Sequence, residues 1–332
     1  MSDQPRTVEV PEELNGARFD SVLAKLFPEF SRSRLKAWVL DGSATLDGAQ
    51  VAPRKSVRAG QTLSLLAEAT EVTEAAPEPM ELSFVYEDAH MLVLNKPAGL
   101  VVHPGAGNTT GTLVNGLLAY DPALAALPRA GLIHRLDKDT SGLLMIARTL
   151  EAHTQLVRAL EAREVSREYR AVCAGRLTAG GVVDAPIGRH PTQRTKMSVH
   201  HSGRPAVTHY RVLTRFERFT FIACRLETGR THQIRVHMAH KRHPLVGDPQ
   251  YSGRLVMPSG ASEDLQAMLR GFKRQALHAS RLALAHPISG EPMELQSQLP
   301  NDLLELLGVI SDGEHTAAEF DAMAWPEIPD RS

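Results

Sequence analysis

Residues 131–147, GLIHRLDKDTSGLLMIA, constrain what this chain can fold into more than any other stretch. Both ends are apolar, yet His134, Arg135, Asp137, Lys138 and Asp139 fall between them. A core does not accept ionisable groups at that density unless they are paired. The apolar ends call for a sizeable core, and the centre calls for a cleft beside it. A chain of 332 residues, 42% apolar and 23% charged, can supply both, with about two domains.

No apolar run reaches the roughly 18 residues of a membrane span. The polar, acidic start MSDQPRTVEVPEEL reads as neither signal nor transit peptide. Cys173 and Cys224 each lie in an apolar, strand-like run, as reduced core thiols do. These features fit the cytoplasm. The net charge of −1 argues against a nucleic-acid binder, but its distribution argues for one. Residues 67–88 carry a net −7 and residues 311–332 a net −5, which leaves +11 on the rest of the chain. A basic body with acidic connecting segments suits a polyanionic partner.

Residues 15–66 read as a small domain. RFDSVLAKLF places Phe19, Val22, Leu23 and Leu26 on one helical face, ended by Pro28. SRSRLKAWVLDG gives a second helix, with Ser31 or Ser33 as its cap, stopped at Gly42. Its polar side carries Arg32, Arg34 and Lys36, and the domain has eight bases against four acids. Residues 67–82, with two prolines and one sign of charge, read as a linker. From 83 to 310, strand-like and helical runs alternate. FVYEDAHMLVLNKPAGLVVHPG reads as two strands broken at Lys96-Pro97, and THQIRVHMAHKRH as a helix. Residues 311–332 read as a weakly ordered acidic tail.

Three readings compete for HRLDKDTSG. Asp137 and Asp139 are spaced as oxygen ligands of magnesium can be, but no phosphate-binding glycine loop accompanies them. Asp139 with Thr140, Ser141 and Gly142 suits a turn or cap. Asp137 suits an ionised carboxylate in a cleft, because the chain holds a second polar cluster, ETGRTHQIRVHMAHKRHPLVGDPQY, that can give it a cationic partner. A tyrosine in SREYRA offers a base a stacking surface. His232, His237, His240 and His243 lack zinc spacing and read as phosphate contacts or helix surface; no metal is expected. RHPTQRTKMSVHHSGR, with Arg194 and Lys196, reads as an RNA-contacting loop.

HRLDKDTSGLL, REY and GRTHQIRVHM, in this order, resemble the RluA-type large-subunit ribosomal RNA pseudouridine synthases. The likeness extends through NKPAGLVVHPGAGN, GRPAVTHY, HPLVGDPQY and QALHA, over roughly residues 15–305, and is strongest to the RluD type. The resemblance implies an α+β catalytic domain over 83–310 with a mixed or antiparallel central sheet. It also implies an S-four-like RNA-binding domain over 15–66. The implied reaction isomerises uridine to pseudouridine in 23S rRNA, in the helix 69 stem-loop for the RluD type, without a cofactor. The expected substrate is 23S rRNA or a large-subunit precursor, and the expected enzyme is a monomer that uses no membrane. Asp137 matches the catalytic aspartate, Tyr169 the ring packed on uracil, and Arg230 the arginine paired with the aspartate. Arg135 matches the residue that fills the gap left by the flipped base; His134 and Leu277 are further substrate contacts. The rival expectation is a ribosome-assembly factor that binds RNA without chemistry.

Overall fold

The computed structural model describes residues 5–27, 32–66, 75–105, 108–193 and 195–326. The expected stop at Pro28, the capping serines, the side chains of Arg32 and Arg34, and Arg194 lie outside what is described. The chain divides into two units, Met1–Val72 and Thr73–Ser332.

In the first unit, β1 (Arg6–Glu9) precedes α1 (Phe19–Leu26), α2 (Arg32–Asp41), β2 (Ala44–Leu46) and β3 (Thr62–Leu65). The strands form an antiparallel sheet in the order β1-β3-β2. Phe19, Val22 and Leu23 of α1 and Leu35, Trp38 and Val39 of α2 bury the expected helical stripes in one core. β1 lies before residue 15, so the unit starts earlier than its helical periodicity indicates.

The second unit begins with β4 (Phe84–Glu87) and β5 (Met91–Lys96), a hairpin. The break falls at Asp88, whose carboxylate accepts the amides of His90 and Met91. The strand expected after Pro97 is irregular chain. Next come α3 (Leu113–Tyr120), β6 (Ser141–Ala147), α4 (Leu150–Glu161), β7 (Ser166–Ala174), β8 (Gly181–Asp184), β9 (Ile187–Arg189) and β10 (Met197–Val199). They are followed by β11 (Val207–Arg215), β12 (Phe219–Leu226), α5 (Gln233–His240), α6 (Glu263–Gly271), β13 (Leu277–Ala285), β14 (Pro292–Gln296), α7 (Asn301–Ile310) and α8 (Ala317–Ala322).

Nine strands form one mixed sheet in the order β4-β5-β6-β13-β7-β12-β11-β8, with β14 on β13. Its one parallel pairing joins β6 to β13. At that join Gly142 has φ 111°, and a Cβ there would stand 2.2 Å from the Ala279 carbonyl oxygen, so only glycine fits. All seven residues of β6 are buried. Leu144 and Ile146 enter one core cluster and Leu143 and Met145 another, so both faces of the sheet are covered. The free thiols of Cys173 and Cys224 are buried, as the sequence indicated.

Two boundaries shift. Residues 75–82 belong to the second unit rather than to a linker: Asn115 donates to the Ala76 carbonyl, and Glu78 accepts the Gly111 amide. The described part of the acidic tail is also ordered. Phe320 is 1% exposed and packs edge-on against Phe221, while Trp325 lies 4.1 Å under the Arg225 guanidinium. A lone aromatic among acids looks like a tail in sequence; here the aromatics, not the acids, decide its place.

Candidate active site

The charged centre of residues 131–147 is a loop at the mouth of the sheet, and β6 starts only at Ser141. The loop lines a cleft of about 580 Å³ with Tyr169, Arg230 and Leu277. Tyr169 and Leu277 come from adjacent strands, with Ala279 opposite Tyr169 across the β13–β7 ladder. The structure thus gathers Arg135, Asp137, Tyr169, Arg230 and Leu277, 142 residues apart at the extremes, in one cleft.

The loop is held from below by Lys96, which is fully buried. Its Nζ donates to the carbonyls of Pro97 (2.7 Å), Leu100 (3.0 Å) and Lys138 (2.9 Å), which uses every N–H of an ammonium group. Burial pushes its pKa down to about 7, a shift opposed by Asp139 and Asp137. Asp139 caps nothing among the described residues; the turn is closed by the Thr140 amide on the Asp137 carbonyl.

Asp137 is paired with Arg235, not with Arg230. Nη1 of Arg235 donates to Oδ2 of Asp137 at 2.9 Å. The rest of that guanidinium grips the fully buried Asp248, with Nε to Oδ2 at 2.7 Å and Nη2 to Oδ1 at 3.0 Å. It also lies 5.0 Å from the Tyr251 ring centre. Such a fork fixes both direction and register of the carboxylate it meets. Arg230 lines the same cleft, but its Nε donates to the Pro205 carbonyl at 3.0 Å. The two arginines sit five residues apart in GRTHQIRVHM, and spacing alone does not rank them. The available signal was Arg235's place between Ile234 and Val236, where a buried cation needs an acid.

The other oxygen of Asp137 faces His232, whose Nε2 is 3.8 Å from Oδ1. The Tyr251 hydroxyl accepts the Met197 amide at 2.9 Å and lies 2.7 Å from Nδ1 of His232. This bond holds the imidazole ring in place, with its Nε2 on the side of Asp137. His232 has φ 57°, a strained conformation for a residue with a Cβ, at the start of α5. His237 is not surface: it is fully buried, bonded to Thr208 and to the Ala185 carbonyl. Lys196 lies at the turn of the β9–β10 hairpin, whose Met197 is the residue that reaches Tyr251.

His134 does not present a cation to the cleft. Its Nε2 accepts the Met145 amide of β6 at 3.2 Å, and burial, with Arg167 nearby, pushes its pKa down to about 3. Burial likewise pushes His278 down to about 4. In the unfolded chain both titrate near 6.5. Below that pH the unfolded chain binds more protons than the folded one, so stability falls with pH until the folded values are passed. We expect urea midpoints to drop between pH 6.5 and 4, each histidine contributing about 1.4 kcal/mol per pH unit in its window. His134→Gln should flatten that limb; an unchanged acid slope in the variant would count against it.

Among the described residues no group of His, Cys, Asp and Glu is placed to hold a metal ion, and no helix is long and apolar enough to cross a membrane.

The chain and its fold have counterparts among known proteins. The RNA pseudouridylate synthase family profile matches residues 90–240. The ribosomal large subunit pseudouridine synthase D of Xanthomonas campestris is 56% identical over 328 residues, covering 96% of this chain and 99% of the relative. The enzyme of that name from Escherichia coli is 52% identical over 317 residues, covering 95% and 97%. Among solved structures, human RNA pseudouridylate synthase domain containing 4 aligns with a TM-score of 0.56 at 27% identity, over 69% of this chain and 92% of that one. The chain belongs to the RNA pseudouridylate synthase family. It is an enzyme, a pseudouridine synthase.

Proposed function

We propose that this enzyme isomerises specific uridines of large-subunit ribosomal RNA, with the helix 69 stem-loop of 23S rRNA as its target and Asp137 as its essential group. The observation that carries this reading is the Asp137–Arg235 pair beside Tyr169, in a cleft whose edge is rich in arginine. The relatives named above support the choice of RNA. The target uridine leaves its stack, at a cost of a few kcal/mol. Arg135, which has no hydrogen-bond or ion-pair partner among the described residues, fills the space it vacates. Tyr169 and Leu277 pack on the uracil. Asp137 then attacks the anomeric carbon or removes a ribose proton, and the detached uracil turns and rejoins through carbon five. No atom enters or leaves, so no cofactor is called for. Glycosidases generally need a second carboxylate as acid; here the leaving base stays and becomes the nucleophile.

The first unit supplies RNA affinity in this reading, as an S-four-like module whose basic α2 carries Arg32, Arg34 and Lys36 along phosphates. Lys196 adds a contact from the β9–β10 hairpin, and Arg194, outside the described residues, is a further expected contact. Removing residues 1–72 should make RNA affinity less dependent on salt, since each lost phosphate contact lowers the slope by roughly 0.7–0.9. An equal slope with and without the unit would move the contacts to the catalytic unit.

Pseudouridine mapping of 23S rRNA from cells lacking the enzyme tests the target directly. Signal lost only in the helix 69 loop supports the full reading. Loss elsewhere in 23S rRNA keeps the substrate and discards helix 69. Unchanged 23S rRNA would discard the ribosomal target.

A further inference from the structure

Among the described residues, Arg167 is a buried cation without an anion. It is 7% exposed and lines the cleft, yet its side chain makes no ion pair or hydrogen bond among the described residues, and its Nε is a buried donor with no acceptor there. The cleft's three acids do not serve it: Asp137 is taken by Arg235, Glu227 by Arg163 and His209, and the exposed Glu161 makes no ion pair with it. Its neighbour Glu168 is bound to Arg170 and Arg225. A guanidinium is permanently charged, and burying one unpaired costs several kcal/mol. Such a cost persists where function requires it. The chain also makes room for it. A Cβ on Gly229 would stand 2.9 Å from Nη1 of Arg167, so a glycine there leaves the guanidinium in place.

Its position selects the partner. Arg167 precedes Tyr169 by two residues on β7, so both side chains leave the same face of the strand, roughly 6.6 Å apart at the backbone. Tyr169 is only 6% exposed. Arg129, Arg135, Arg163 and Arg204 are exposed at the cleft's edge, where the proposed RNA substrate would lay its phosphates. A group that reaches Arg167 has gone deeper than a backbone phosphate, to the depth of the base that packs on Tyr169.

We propose that Arg167 is the counter-charge for the departing uracil. When the C1′–N1 bond breaks, its electron pair goes to the ring and spreads over N1, O2 and O4. The Nη donors of Arg167 bind that anion through a carbonyl oxygen until the ring's C5 forms the new bond to C1′. The C5 proton then leaves and N1 gains one, so atoms and charge balance without a co-reactant. The free enzyme keeps the site charged and waiting, as a preorganised anion hole does. This inference rests on the reading of the cleft as the active site.

The test compares Arg167→Met and Arg167→Lys in the full chain, on RNA carrying either uridine or 5-fluorouridine at the target. Fluorine withdraws electrons and makes the departing base a weaker base, so it needs the counter-charge less. For Arg167→Met we expect an unfolding midpoint equal to or above the parent's, RNA affinity within about threefold, and a single-turnover rate lower by about 100-fold. With 5-fluorouridine the deficit in C1′–N1 cleavage should shrink at least tenfold, and Arg167→Lys should recover part of the rate. A lower unfolding midpoint with an unchanged rate would make Arg167 a packing residue. Weaker RNA binding with a smaller salt slope and a normal rate would make it a phosphate contact. An equal deficit on both substrates would place the charge elsewhere than on the base. Each of those results overturns the proposal. Asp137→Asn serves as the separate control: activity in that variant would defeat the active-site reading itself, whatever Arg167 does.

Discussion

Asp137→Asn should bind substrate RNA as the parent does and form no measurable pseudouridine. The side chains are nearly isosteric, and the amide can still meet Nη1 of Arg235 through its oxygen, so cleft and loop should persist. What is lost is the negative oxygen that attacks carbon or takes a proton. Removing a group that acts on the reacting atoms costs on the order of 10⁴-fold in turnover. Gel-shift affinity and single-turnover pseudouridine formation, measured on one preparation, separate the two effects. Binding and activity lost together, with a lowered unfolding midpoint, would show that Asp137 shapes the loop rather than the reaction. Turnover within tenfold of the parent would remove Asp137 from the chemistry.

How far the sequence already held this site follows from what each residue does. Asp137 and Tyr169 stood out as an acid in a hydrophobic run and an aromatic between charges, Leu277 was named from the family resemblance, and all three line the one cleft. The alternation of strands and helices was legible because the strands carry apolar runs with short breaks; the mixed sheet they form was implied by the family resemblance. The partner of Asp137 was not legible. Arg230 and Arg235 belong to one motif, and only the path of the chain into α5 sends one to Asp137 and Asp248 and the other to a carbonyl at Pro205. His134, expected as a substrate contact, lines the cleft, and the Met145 amide of β6 takes its Nε2. Lys96 and Arg167 look in sequence like surface charges. Whether a cation is buried depends on long-range packing, and no local pattern reports it.

Arg235→Met separates the two things one guanidinium does. Its loss strands the carboxylate of Asp248, which is fully buried and would keep only the amides of Gln250 (2.9 Å) and Tyr251 (3.1 Å). Breaking a buried pair from one side costs about 3–5 kcal/mol, and urea unfolding of the full chain should show a loss of that size. Asp137, meanwhile, loses the donor that aims it, and the rate should fall by roughly 100-fold or more even where the protein is fully folded. Adding Asp248→Asn removes the stranded charge, so the double variant should regain much of the stability and none of the rate. Arg230→Gln is the contrast. Its Nε bond to a carbonyl is a modest one, so stability should stay within about 0.5 kcal/mol of the parent. The outcome that would reverse the assignment is a larger rate loss in Arg230→Gln than in Arg235→Met. The pairing inferred from the motif would then describe the reacting enzyme, with Arg235 reduced to a structural anchor of Asp248.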